Sequence, residues 1–227
     1  KTIILFVLFT FGFSQDYSLQ FDGQNDYVEL TDMDLLQNFT LTAWTKTTYY
    51  AEDGVPNNII SKYGSSGGYA FLIHSDGGLY GHTNYGSNSD AVCVSNTIIP
   101  LNQWTHVAMR LNNGDLSFYV NGVSVNTCTG IANAPDNSDN VLIGRAAYSS
   151  MEWFNGLLDD ISIWDVALTE SQIQTYMTTS PTGDESSLVG YWNFNAGSGT
   201  TLYDHSGNQN HGAINGATWS TDVPYSG

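Results

Sequence analysis

Along much of the chain apolar and polar residues alternate. From residue 39 to 44, Phe39, Leu41 and Ala43 fall on one side of an extended segment, and Thr40, Thr42 and Trp44 on the other. Over residues 104–111 the same parity sets Val107, Met109 and Leu111 against Trp104, His106 and Arg110; over 160–164 it sets Ile161 and Ile163 against Ser162 and Trp164. Turn residues separate the alternating segments. Asn121-Gly122, flanked by residues 117–120 and 123–125, predicts a two-residue type I′ hairpin. Asp76-Gly77-Gly78 and Asn112-Asn113-Gly114 predict two more reversals. Short strands at this spacing predict an all-β fold, a large antiparallel two-sheet jelly-roll sandwich. One segment breaks the pattern. Thr169 followed by Gln172 forms a capping box, and Ile173, Tyr176 and Met177 then repeat at helical spacing. The prediction is one short helix plugging an edge or end of the sandwich.

The second faces of these strands mix rings with polar groups. Two readings follow: a platform on which sugar rings stack, or a second core layer lying under the helix or an edge loop. The second is preferred, because tryptophan is mostly buried.

At 227 residues the chain is long enough for one large domain or two small ones. Twenty-two acidic residues face five basic ones, for a net charge of −17. So few cations cannot neutralise a run of phosphates, which argues against nucleic acid and disfavours anionic membrane surfaces. Residues 1–14 read as a secretory signal, with Lys1 before an apolar run, and Gly12 and Ser14 placing cleavage before Gln15. That run is too short for a comfortable bilayer span, and no other segment suits one. The mature domain is expected over residues 15–222, and 223–227 look like the start of a linker. Export favours pairing Cys93 with Cys128, the alternative being two free buried thiols.

Several segments together resemble the laminin-G-like, concanavalin A-like jelly-roll domains. They are Leu19-Gln20-Phe21-Asp22-Gly23 running on to Val28, Phe39-Thr40-Leu41-Thr42-Ala43-Trp44, and Trp104-Thr105-His106-Val107-Ala108. Further along come Leu116 to Gly122, Leu142-Ile143-Gly144, Phe154 to Trp164 and Ala167 to Ile173. One element departs from the family order. Gly190-Tyr191-Trp192-Asn193-Phe194, with 204–208 and 216–219, looks like the segment that usually opens such a domain. Residues 188–222 are read as closing the sandwich in permuted order, since the apolar strand 188–194 would otherwise be an exposed edge; the alternative is the start of a second copy.

The resemblance implies a structural calcium ion. The expected ligands are Asp22 and Asp26, which bracket a tight turn, Asp159 at the signature strand, and Asp204 in the closing element. The competing reading is that these are turn residues bonding their own backbone. Catalysis is the rival function. The hydrolase relatives carry a Glu-x-Asp-x-x-Glu run, and none of the glutamates at 29, 52, 152, 170 and 185 has that spacing. Asp159 and Asp160 are adjacent, so strict alternation sends them to opposite faces. A lyase would need a base such as His106 or Tyr119 with Arg110 nearby.

The expected function is non-catalytic recognition of a polysaccharide or cell-surface glycan by loop aromatics: Tyr49, Tyr50, Tyr63, Tyr80, His82, Tyr85, Tyr148 and Trp153. An extracellular adhesion or protein-interaction module is the alternative, with a lyase or hydrolase third.

Overall fold

The computed structural model describes residues 15–35, 37–50, 56–64, 67–84, 91–146 and 152–224, with the side chains of Tyr63, Gly64 and Ala91 left aside. Two antiparallel sheets of eight strands each face one another. The first runs β10 (Val123–Cys128), β9 (Asp115–Val120), β8 (Thr105–Asn112), β3 (Asn38–Thr47), β12 (Asn155–Trp164), β1 (Ser18–Asp22) and β16 (Thr218–Ser220). β13 (Leu188–Trp192) also pairs with β12. The second runs β14 (Thr201–Leu202), β15 (Gly212–Asn215), β2 (Tyr27–Glu29), β11 (Leu142–Ile143), β4 (Asn57–Gly64), β5 (Gly67–Ile73), β6 (Leu79–Thr83) and β7 (Ala91–Val94). Residues 188–220 thus add strands to both sheets: β13 and β16 to the first, β14 and β15 to the second.

Strand parity builds the core. Leu19, Phe21, Phe39, Leu41, Ala43, Val107, Met109, Phe118, Ile161 and Ile163 from the first sheet meet Val28, Ile60, Tyr69, Phe71, Ile73 and Ile143 from the second, all fully or almost fully buried. The Asn121-Gly122 turn has both residues at positive φ, as a type I′ hairpin requires.

Helix α1 (Glu170–Thr178) begins where its capping box predicts: the Thr169 hydroxyl accepts from the Gln172 backbone N–H, and the Gln172 side chain accepts from the Thr169 N–H. It lies over the outer face of the first sheet. Ile173 and Tyr176 pack there on Ala108, Tyr119, Trp164, Leu168, Leu188 and Tyr191. Trp164 and Tyr176 stack at 4.5 Å. The second-layer reading therefore describes this face: Trp164 is 2% and His106 2% exposed.

Cys93 and Cys128 form a disulfide. It joins β7 to β10, so it staples the free edge of one sheet to that of the other. A Cys93→Ala/Cys128→Ala variant is expected to lose about 3–4 kcal/mol, because the unfolded chain is released from a closed loop. Urea unfolding of both proteins, oxidised, checks this; a loss below about 1 kcal/mol would mean that the cross-link constrains little.

Candidate functional site

β12 is longer than either strand on its outer edge. β1 covers residues 155–158 of it and β13 covers 161–164, leaving Asp159 and Asp160 unpaired between them. On the opposite edge the register to β3 slips between Asp159 and Ser162, a β-bulge. Asp160 takes φ +44° there. The extra residue breaks the alternation that the sequence implied. Both carboxyl groups, instead of pointing apart, line one cavity of about 440 Å³. Asp16 closes it from the start of β1. Tyr191 comes from β13, Asn193, Asn195 and His205 from the loops that follow it, and Ser180 to Thr182 from the segment after the helix. Asn195 ties two of these walls together by accepting from the Tyr17 N–H at 2.9 Å.

Among the described residues no lysine or arginine lines this cavity. Asp159 is 4% exposed. Burial, then the neighbouring Asp160 charge, push its pKa up to about 9, against the Asp160 N–H that donates to it at 2.8 Å. Burial also raises Asp160, although Tyr191 donates its hydroxyl to that carboxylate at 2.6 Å. Burial and the same carboxylate hold the Tyr191 phenol protonated. A buried carboxyl beside a half-buried one, in an oxygen-lined notch, favours protonation or a cation. Carboxylate, amide and hydroxyl oxygens are the donor set of a hard cation such as calcium. Among the described residues no three His, Cys, Asp or Glu side chains converge on one point, so amide, carbonyl or water oxygens would have to complete any coordination sphere.

The other three expected calcium ligands lie elsewhere. Asp22 sits opposite Asn155, three register positions from the Leu19–Leu158 pair and about 13 Å along the strand from the notch. Its carboxylate accepts from the Gln24 and Asn25 N–H groups, and Asp26 accepts from the Asp22 N–H at 2.8 Å. Gly216 packs so tightly on Asp26 that a Cβ there would stand 2.0 Å from its oxygen. Asp204 accepts four hydrogen bonds, from the N–H groups of Tyr191, Ser206 and Asn210 and from the Ser206 hydroxyl. These carboxylates are engaged by their own backbone, and the four aspartates do not form one site.

The trio considered for a lyase is roofed over. Burial takes the His106 imidazole down to about 3, and its ring meets Trp44 edge-on at 5.4 Å. Tyr119 is 2% exposed, and Arg110 lies over its ring while donating to the Leu168 carbonyl. His106 and Tyr119 are thus buried, Tyr119 in the layer beneath helix α1.

The outer face of the second sheet differs. Val28 is in the core, so Tyr27 points outward. Arg145 lies over the rings of Trp153, at 4.6 Å, and Tyr27, at 5.3 Å. Glu152 accepts from Asn58 at 3.2 Å. Asn58, Leu72 and Tyr80 follow one another across β4, β5 and β6. Asn58 is 1% exposed, and its Oδ1 has no hydrogen-bond partner. Tyr80 stacks on His74 at 4.3 Å and donates to Asp76. His82 stands one alternation further along β6. Tyr27, Tyr80, His82, Arg145, Glu152 and Trp153 are all half-buried.

Three of the expected ligand residues, Tyr80, His82 and Trp153, thus share this side of the molecule. Tyr49 is exposed in a neighbouring loop, where its carbonyl accepts from Asn57. Tyr50 is turned inward, donating its hydroxyl to the Ile99 carbonyl. The Tyr63 side chain, Tyr85, Tyr148 and residues 1–14 lie outside the described residues. Asn58, Arg145, Tyr27 and Glu152 were not anticipated; only the register across β4 to β6 and the bridge between Arg145 and Trp153 bring them in.

Two facing antiparallel sheets, one of them roofed by a single helix, make this a concanavalin A-like jelly-roll sandwich. The chain belongs to the concanavalin A-like lectin/glucanases superfamily, whose Laminin_G_3 model matches residues 22–174. No curated protein matches it. Among solved structures, a candidate carbohydrate-binding protein from Bacteroides ovatus superposes with a TM-score of 0.74 at 23% identity, over 94% of this chain. The chain spans 62% of that protein's length. Domain 4 of AbnA, an extracellular GH43 arabinanase from Geobacillus stearothermophilus solved with arabinotriose, gives 0.57 at 20% identity, over 69% of this chain and 74% of that one. A heptameric SAP-like pentraxin from Limulus polyphemus gives 0.56 at 21%, over 73% and 83%. At these identities the likeness is one of fold. No helix among the described residues is long and apolar enough to cross a membrane.

Proposed function

We propose that this is a secreted, non-catalytic carbohydrate-binding domain, stabilised by calcium, that takes its ligand on the outer face of the second sheet. The observation that carries the reading is the row running from Trp153 and Arg145 through Glu152 and Asn58 to Tyr80. It sets rings beside polar groups and holds one buried acceptor, Asn58 Oδ1, without a partner. Rings supply flat apolar area for the C–H faces of a sugar, and fixed polar groups supply orientation. The Bacteroides protein and the arabinotriose-bound domain favour a glycan over a protein partner. The disulfide supports an oxidising, extracellular setting. Calcium is assigned to the notch at Asp159 and Asp160, with Asp16 and the amides of Asn193 and Asn195 as further oxygen donors. The notch opens on the first sheet and the ligand row on the second, so the ion acts on stability and not on sugar contact.

The test is depletion of the protein from solution by a panel of insoluble polysaccharides, in calcium and in chelator, well below the melting temperature. Retention on at least one polymer in both conditions is expected, with a Trp153→Ala variant at least about tenfold weaker. If no polymer retains the protein, the carbohydrate reading fails. If chelator releases it at a temperature where it stays folded, the ion belongs to the ligand site instead.

A further inference from the structure

Four basic side chains fall among the described residues, and three of them are neutralised or capped within the fold. Lys46 pairs with Asp222 at 2.5 Å. Lys62 pairs with Asp32 and Asp34. Arg110 donates to the Leu168 carbonyl beneath the helix. Arg145 alone has no carboxylate within ion-pair range and no hydrogen bond among the described residues, in a chain with 22 acidic groups to offer. Its Nε is buried without an acceptor. The guanidinium is nevertheless held over the rings of Trp153 and Tyr27, whose own centroids lie 6.2 Å apart. Contact with ring faces restrains a guanidinium and does not use up its N–H donors, which lie in the group's own plane. Glu152, seven residues on, accepts from Asn58 and makes no ion pair with Arg145.

An unpaired, immobilised and partly desolvated guanidinium suits an anion with two oxygens in one plane. The charge-assisted bond is stronger than one to a hydroxyl, and the ordering cost has been met in the free protein. We propose that the glycan bound by this face carries an anionic substituent, a uronic acid carboxylate or a sulfate ester, which the Arg145 fork receives while Trp153 or Tyr27 borders the sugar ring. This rests on the carbohydrate reading above and narrows it to acidic polymers. The overall charge of −17 repels such polymers at long range, so recognition depends on the local contact and is best seen at physiological salt, where screening reaches about 8 Å.

The experiment compares matched polymers on the full chain at that ionic strength: polygalacturonate against its fully methyl-esterified form, and chondroitin sulfate against desulfated chondroitin. Each is titrated with the native protein, Arg145→Gln and Arg145→Lys. A preference of about tenfold or more for the charged member of one pair is expected, lost in Arg145→Gln and partly kept in Arg145→Lys. Preference in the first pair assigns the group as a carboxylate, and preference in the second as a sulfate. Equal binding of charged and neutral members overturns the proposal while leaving carbohydrate binding intact. Binding to a neutral arabinan only does the same. No binding to any polymer overturns it together with the reading on which it rests. Arg145→Lys keeps the charge, so it serves if Arg145→Gln does not fold.

Discussion

Asp159→Asn should make the calcium-free protein more stable at pH 7.5, by several kcal/mol, and abolish its stabilisation by calcium. The Asp159 carboxyl titrates near 3.8 when unfolded, and burial in the notch pushes it up to about 9 in the fold. Between those values the folded state keeps a proton that the unfolded state releases. Without a cation, stability therefore falls as pH rises, by up to about 1.4 kcal/mol per unit, and the stability present below pH 4 is lost by pH 9. Discounted for coupling to Asp160, the cost at pH 7.5 is on the order of 3–5 kcal/mol. Asparagine still accepts from the Asp160 N–H and carries no ionisation cost. On the proposed assignment calcium would offset the same cost by meeting the ionised carboxylate, so its effect should grow from pH 5 to pH 9 as it displaces the proton. Urea unfolding in chelator and in calcium across that range is the measurement. An asparagine variant less stable than the native protein in chelator at pH 7.5 would sink the argument. So would a calcium response that survives the substitution. Asp204→Asn is the contrast: its carboxylate serves four hydrogen bonds, and losing part of them should destabilise equally with and without calcium.

That notch also marks where the sequence stops being legible. Alternation places nearly every core side chain of β3, β8 and β12, and the Thr169–Gln172 pair locates the helix, because each signal is local and repeats a rule of backbone geometry. A bulge is one residue that breaks the rule, and Asp159-Asp160 carries no mark of it. Reading the pair as opposed was wrong for that reason alone. The remaining walls of the cavity, Asp16, Tyr191, Asn193 and His205, come from opposite ends of the chain and meet only through the pairing of β1 and β13 with β12. Arg145 was equally hidden: between Gly144 and Ala146 it reads as an ordinary loop cation, and only the structure shows it without an acid.

A second large effect is expected at a lysine that no pattern singles out. The Lys62 side chain is 1% exposed. Its ammonium donates to Asp34 and to the Asn137 carbonyl, and lies 2.9 Å from Asp32. Burial alone would lower its pKa, but the two carboxylates outweigh burial and hold it above the ordinary lysine value. Asp34 is shifted the other way: Lys62 overcomes its burial and keeps it ionised, while Asp136 beside it is raised. Lys62 is thus an internal cation binding the loop at 32–34 to the loop at 136–139 across the end of β4. Such a pair is poor evidence for stability against a well-packed apolar replacement, but removing only one member strands the other. Lys62→Met fills similar volume and leaves Asp32, Asp34 and Asp136 facing each other. A loss of about 3 kcal/mol is expected, toward the lower end for a broken buried pair because Asp32 and Asp34 are 43% and 35% exposed and part of their charge is solvated. Adding Asp34→Asn should return about 1 kcal/mol by removing one repelling charge. Millimolar calcium should recover part of the loss in Lys62→Met and less in the double variant, since the same oxygens are left without their ammonium. Urea unfolding of the three proteins decides it. A loss below about 1 kcal/mol in Lys62→Met would mean that methionine packing compensates and the ammonium is dispensable. A full loss that neither Asp34→Asn nor calcium relieves would place the effect in packing and not in charge.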